Sequence, residues 1–271
     1  MNQISFMSAN FVARQLSYQM TAGWMQGDRA TQEYFRPVET FGERFAALLG
    51  EIKALGFGAL DLWLAHLHPH WATAEHVALA REQLAQHQLT VTSLAGGFGN
   101  TAAEAEASCR LATALGTTIL GGNSGLLHTD RPTLIAILQT HGCRLGIENH
   151  PEKTPQELLD QIGDAANNGH GAIGACVDTG WFGTQGFDSV LALAELRDHL
   201  LHIHLKDVLA AGAHHTCRYG RGIVPIRACV RTLERIGYTG PLSVEHEPET
   251  FDPTEDCKAN LRLLKRWLAG E

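Results

Sequence analysis

The chain has 271 residues, 44% apolar and 18% charged, with no apolar run of the roughly 18 residues a membrane span needs. Its 21 Lys and Arg against 29 Asp and Glu leave a net charge of −8, a poor match for phosphate neutralisation, so no nucleic-acid partner is expected. The six cysteines are scattered without CxxC spacing, so neither a zinc ribbon nor a redox pair is suggested. They read as reduced core thiols, and with no basic-then-apolar leader the expected location is cytoplasmic. Fifteen histidines are the anomaly of the composition.

In chain order, Ile4–Val12 reads as a first strand, followed by a long connection, Ala13–Val38, carrying Trp24, Tyr34 and Phe35. Phe41, Phe45, Leu48, Leu49, Ile52 and Leu55 then fall at helical spacing, with Thr40 and Glu43 as a capping box and Gly56 as the stop. Ala59–Leu64 is the second strand and Thr73–Gln86 the second helix; Leu89–Leu94 is the third strand, and Thr101 with Glu104 caps the third helix. Thr118–Leu120 and Arg131–Gln139 form the fourth pair. Leu145–Asn149 is strand five, and Thr154, Pro155 and Glu157 supply N-cap, first-turn proline and acid for the next helix. Ile173–Asp178, Leu200–Lys206 and Leu242–Glu247 are strands six to eight, with helices at Ser189–Leu196, Pro225–Ile236 and through Leu261, Leu264, Trp267 and Leu268. A second long connection, Asp207–Val224, is rich in Gly, His and Arg.

Eight βα units without a composition break predict one α/β domain over residues 1–271, a closed (β/α)8 barrel, about the size such barrels take. A doubly wound open sheet is the alternative, but Gly96-Gly97-Phe98-Gly99 matches no phosphate-binding fingerprint. Barrel strands should be apolar on both faces, yet Glu148, Asp178, His204 and Glu245 stand near the C-terminal ends of strands five to eight. Buried acids there need a compensating cation. Three carboxylates and one imidazole without a thiol suit one divalent metal, Mn²⁺ first, with Mg²⁺, Co²⁺ or Zn²⁺ as alternatives. Four separate rim salt bridges are the bland alternative, disfavoured because basic partners are scarce in these strands.

The segments GIENH, CVDTG, HIHLKD and SVEHE resemble motifs of the sugar phosphate isomerase/epimerase superfamily, the xylose-isomerase-like TIM barrels. That group is similar to ketose 3-epimerases, inosose dehydratases and endonuclease IV. The resemblance covers essentially the whole chain and implies Glu148, Asp178, His204 and Glu245 as metal ligands. It also implies that Glu148 and Glu245 are the paired proton-transfer groups, working on a metal-stabilised enediolate. The pairing makes independent chemical sense, because two carboxylates flanking an α-hydroxy ketone can move a proton between faces or carbons. Trp181 stands where the endonuclease and the epimerases carry a histidine, and it is expected to stack on a sugar ring instead.

Other expected substrate contacts are His150, Lys206, Arg221, His68 and Asn10. Lys206 has a rim salt bridge with Asp207 as its structural alternative, and Arg221 a solvated loop position. His202 is expected to be a satisfied core histidine, and Glu247 to support Glu245. His66, His68 and His70 invite a second metal site but read better as a polar rim. The leading expectation is a metal-dependent isomerase or epimerase acting on a small sugar or keto-sugar. The alternatives are a lyase or dehydratase on a keto-inositol or 3-keto-glycoside, an AP endonuclease-like repair enzyme, and a non-catalytic sugar-binding barrel. The resemblance further implies a homodimer or homotetramer.

Overall fold

The computed structural model describes residues 2–163 and 171–271. The eight apolar runs form β1 (Ile4–Met7), β2 (Ala59–Trp63), β3 (Thr90–Gly97), β4 (Ile119–Asn123), β5 (Arg144–Glu148), β6 (Ile173–Asp178), β7 (Leu200–Leu205) and β10 (Leu242–Val244). A hairpin of β8 (Asp207–Ala210) and β9 (Ala213–Cys217) is inserted between the last two. The barrel closes in the order β1-β10-β7-β6-β5-β4-β3-β2, and every barrel pairing is parallel. β2 and β6 are buried along their whole length, as strands covered by side chains inside and helices outside must be.

The principal core lies between barrel and helices. Phe6 packs against Phe11 and Phe57, and Phe41 stacks on Phe45 at 5.2 Å between ring centroids. The helices start where the sequence punctuates them: Thr73, Thr101 and Thr154 each accept from the backbone N–H three residues on. All six cysteines are buried and unpaired, and no helix among the described residues is long and apolar enough to cross a membrane.

Four expectations need correction. The first strand ends at Met7, and Ser8–Phe11 tightens into a 3₁₀ turn in which the Ser8 hydroxyl accepts the Trp63 N–H. The connection after it holds a helix, Trp24–Phe35, whose buried residues include Thr31 and Phe35. The next helix begins at Val38, because Pro37 serves as its N-cap with extended backbone; Thr40 lies inside the first turn and caps nothing. The connection after β7 holds the β8–β9 hairpin, and Asp207 braces the loop beyond that hairpin by accepting from the Gly220, Gly222 and Val224 N–H groups. A Cβ at Gly222 would stand 2.1 Å from the Val208 carbonyl oxygen, so only glycine lets the chain pass there.

Candidate active site

The register of the parallel sheet sets the site. Asp178 pairs with His204 across β6 and β7, and Ser243 pairs with His204 across β10 and β7. Glu148 closes β5, and Glu245 follows β10 directly. One ligand atom from each of Glu148, Asp178, His204 and Glu245 lies within 4.8 Å of the others. Asp178, His204 and Glu245 are buried, while Glu148 is partly open at the mouth.

The His204 ring faces two ways. Its Nδ1 meets Glu148 Oε1 at 2.7 Å and Glu245 Oε2 at 3.1 Å. Its Nε2 points into the barrel, 3.0 Å from Asp61 Oδ2 and 3.6 Å from Cys176 Sγ. Asp61 Oδ2 also meets His202 Nε2 at 2.6 Å, and that nitrogen lies 3.1 Å from Ser93 Oγ. His202 is therefore an interior histidine satisfied on one side only, with Nε2 paired and Nδ1 buried without a hydrogen-bond partner. Asp61, His202 and His204 could themselves group around an ion, as could Glu148, Cys176 and His204. Burial argues against the first of these as a reaction centre: Asp61 and His202 are 0% exposed, deep in the barrel, and Asp61 already accepts from both rings. That arrangement serves to orient His204, as carboxylates behind metal-bound histidines do. Burial raises the Asp61 pKa, but His202 and His204 outweigh it and hold the carboxyl well below the usual range.

Lys206 is the unexpected member. It is 1% exposed, and its Nζ lies 2.8 Å from Asp178 Oδ2, 2.8 Å from Glu245 Oε1 and 3.1 Å from Glu247 Oε2. The rim pair with Asp207 does not form. The lysine stem runs over Gly180, where a Cβ would come within 2.7 Å of Lys206 Cγ. Burial disfavours the ammonium, yet Asp178, Glu245 and Glu247 hold its pKa well above the ordinary value. Burial likewise disfavours the His204 cation, but Cys176, Glu245 and Asp61 raise its pKa well above 6.5. For Glu245, burial pushes up and is overcome by Lys206 and His204, so its carboxyl is held low. Asp178 goes the other way, pushed up to about 6 by burial against the pull of Lys206. Glu247 is pushed up to about 8, again chiefly by burial.

The donor set fits a divalent ion. Five carboxylates (Asp61, Glu148, Asp178, Glu245, Glu247) face Lys206 and His204 as the cations of the cluster. Asp178 Oδ2 and Glu245 Oε2 are buried and, although within ion-pair distance of Lys206 and His204, receive no well-directed hydrogen bond. Asp178 Oδ1 is taken by the Gly180 and Trp181 N–H groups, which aims Oδ2 at the centre. Hard oxygens with one imidazole nitrogen are the donors that Mg²⁺, Mn²⁺ and similar ions accept.

The other expected residues divide. His150 and Trp181 are at the mouth, with rings stacked at 3.9 Å, and His214 stacks on Trp181 at 3.8 Å. Imidazoles thus cover both faces of Trp181, so it does not offer a ring face to a sugar. Asn10 is buried with both amide atoms committed: Nδ2 donates to the Val244 carbonyl and Oδ1 accepts the His246 N–H. It splices the 3₁₀ turn after β1 to the end of β10 and the residues that follow it. His68 is half-buried against His70, with ring centroids 4.6 Å apart, whereas His66 is buried against Phe35 and Trp63. The three do not gather as metal ligands among the described residues. Arg221 is exposed, and no ion pair or hydrogen bond joins its guanidinium to the cluster among the described residues.

Sequence reasoning missed Asp61, Asn149 and His214. Asp61 was visible as an acid in the middle of the apolar segment ALDLW, by the same rule that singled out the strand-end acids. Asn149 exchanges two hydrogen bonds with the Asp178 backbone, tying the ends of β5 and β6. His214 had no local signal, because the β8–β9 hairpin brings it there.

Comparison with known proteins agrees with the closed barrel. The model of the family described as "Xylose isomerase-like TIM barrel" matches residues 49–267. Over 70 residues the chain is 31% identical to the L-ribulose-5-phosphate 3-epimerase UlaE of Escherichia coli; that match spans 26% of this chain and only 23% of the relative's length. Among solved structures, a xylose isomerase-like TIM barrel protein from Mycobacterium smegmatis in complex with magnesium superposes with a TM-score of 0.71. The two are 18% identical, and the match covers 100% of this chain and 97% of the other. An L-ribulose 3-epimerase superposes with a TM-score of 0.69 at 15% identity, covering 100% and 95%. With the closed parallel barrel and a family match over most of its length, the chain belongs to the xylose isomerase-like TIM barrel family.

Proposed function

We propose that the protein is a divalent-metal-dependent isomerase or epimerase of a sugar or keto-sugar, with Glu148 and Glu245 as its proton-transfer pair. The observation carrying this reading is the convergence of the two carboxylates, three strands apart around the barrel, on His204 Nδ1 at 2.7 and 3.1 Å. Glu148, Asp178, His204 and Glu245 would hold the ion, Mn²⁺ first among Mg²⁺, Co²⁺ and Zn²⁺. When bound, it supplies Lewis-acid stabilisation of negative charge on the substrate oxygens. Glu245, kept ionised by Lys206 and His204, removes the proton on the carbon next to the carbonyl. Glu148, at the mouth, returns one. Return to the opposite face gives the epimer, and return to the neighbouring carbon gives the aldose–ketose isomer. Buried Lys206 holds Asp178, Glu245 and Glu247 in place.

The test is a keto-sugar panel in D₂O with added Mn²⁺, following the proton next to the carbonyl by NMR, with metal content measured alongside. About one ion per chain is expected. Glu245→Gln and Glu148→Gln should each slow exchange roughly 10²- to 10⁴-fold. Wild-type exchange in either variant at full metal loading overturns the paired-carboxylate mechanism.

A second reading, elimination of a β-hydroxyl from the same carbanion, is favoured by one observation. Glu247 stands 3.1 Å from Lys206 beside the cluster, and burial pushes its pKa up, which favours the protonated form that a departing hydroxyl would need. Release of an enone, seen by ultraviolet absorbance and lost in Glu247→Gln, would select it.

A further inference from the structure

Beside the carboxylate cluster lies a cavity of about 490 Å³, within the roughly 300–1,000 Å³ common for small-molecule sites. It joins the cluster through Glu247 and His214, which both lie against Lys206 Nζ, at 3.1 and 3.5 Å. Its walls are of two kinds. One is apolar: Trp24, Leu209 and Phe251 line it, with Leu209 53% and Phe251 46% exposed. Trp24 is held edge-on to buried Trp63 at 5.0 Å, and Phe251 packs against His246 at 5.7 Å. The other is polar, where Glu247 and Glu249 stand with His214, His215, Thr216 and Thr250.

Among the described residues, no lysine or arginine lines the cavity. Lys206 behind it is committed to three carboxylates, and Arg218 pairs with Asp256 at 3.6 Å. In (β/α)8 barrels, phosphate is frequently taken by the loops after the last two strands and a helix start beside them. Here the loop after β10 carries Glu247 and Glu249, and the helix beyond it opens on Thr254, Glu255 and Asp256. A phosphate dianion there would meet Glu247 and exposed Glu249 with no lysine or arginine in the lining to receive it, whereas an uncharged apolar group would be desolvated against two aromatic side chains.

We infer that this cavity is the specificity subsite of the same centre, and that the substrate is an unphosphorylated sugar bearing an apolar, preferably aromatic, substituent seated between Trp24 and Phe251. The inference rests on the sugar reading of the carboxylate cluster but departs from the phosphorylated sugar in the name of the curated relative. The aromatic pair supplies affinity for the substituent, and exposed Glu249, with no lysine or arginine in the lining, disfavours phosphate.

The test is direct binding to the Mn²⁺-loaded protein, by calorimetry and Trp fluorescence, of phenyl β-D-glucoside, methyl β-D-glucoside, D-glucose and glucose 6-phosphate. The phenyl glycoside should bind at least about tenfold tighter than the methyl glycoside, and glucose 6-phosphate more weakly than glucose. Trp24→Ala and Phe251→Ala should each remove most of the phenyl preference while leaving methyl glycoside binding unchanged. Tighter binding of glucose 6-phosphate than of glucose overturns the inference. So does equal binding of the two glycosides, a phenyl preference that survives both substitutions, or no binding of the phenyl glycoside. Glu245→Gln separates this from the proton-transfer reading: it should abolish hydrogen exchange and keep the phenyl preference.

Discussion

Asp61 carries more of the site than its place in the middle of β2 suggests. One oxygen accepts from both His202 and His204, at 2.6 and 3.0 Å, and so determines which nitrogen of His204 is left to face Glu148 and Glu245. Asp61→Asn keeps the volume but offers His204 an amide in place of a carboxylate. Divalent metal affinity should fall roughly 10- to 100-fold, measured by titrating Mn²⁺ into apo protein, while the far-ultraviolet spectrum is retained. Gly180 is the second decisive position. Gly180→Ala would drive a methyl group into the Lys206 stem and displace the ammonium from Asp178 and Glu245. A loss of about 1–3 kcal/mol is expected in denaturant unfolding, with lower activity even at saturating metal.

At the scale of elements, the strand ends are held by side chains rather than by sheet hydrogen bonds alone. Asn149 ties β5 to β6, and Asn10 ties the end of β1 to the residues after β10. Because Glu148 precedes Asn149 and Glu245 precedes His246, these ties set the spacing of the two carboxylates. Asn149→Ala leaves the Asp178 N–H and carbonyl without their partner. It should cost about 1–3 kcal/mol and reduce kcat more than KM. A helix start distant from the site makes a useful contrast. Thr101→Ala removes the cap of the helix over 102–114 and should cost about 1 kcal/mol with kcat unchanged.

For the molecule as a whole, histidine burial makes acid stability a property of the fold. His66 is 2% exposed, and burial, aided by the Arg14 charge, lowers its pKa to about 3. Between that value and the unfolded pKa near 6.5, the unfolded chain binds the extra proton, so stability falls as pH drops through this window. Each such group contributes a slope of at most about 1.4 kcal/mol per pH unit. Melting temperatures taken from pH 7 to pH 4 should decline steadily, and the decline should be shallower by about one proton in His66→Asn. An unchanged slope in that variant would show that His66 titrates normally.

The amino-acid sequence by itself determined the architecture and singled out the strand-end cluster of Glu148, Asp178, His204 and Glu245. Eight apolar runs alternate with capped amphipathic segments, and strands covered on both faces can bury such runs only in a parallel sheet wrapped by helices. An acid at the end of such a run is conspicuous because its burial is costly, which is why Glu148, Asp178 and Glu245 stand out in the sequence. Length and pattern do not say which residues meet across the barrel. Register and closure brought Asp61 of β2 under His204 of β7, 143 positions away, and the β8–β9 hairpin laid His214 over Trp181. They also turned Lys206 inward to three carboxylates and closed both faces of Trp181. Local propensity acts over a few residues along the chain. Ion pairs and ring stacks act over a few ångströms in space, and only the folded barrel converts one kind of proximity into the other.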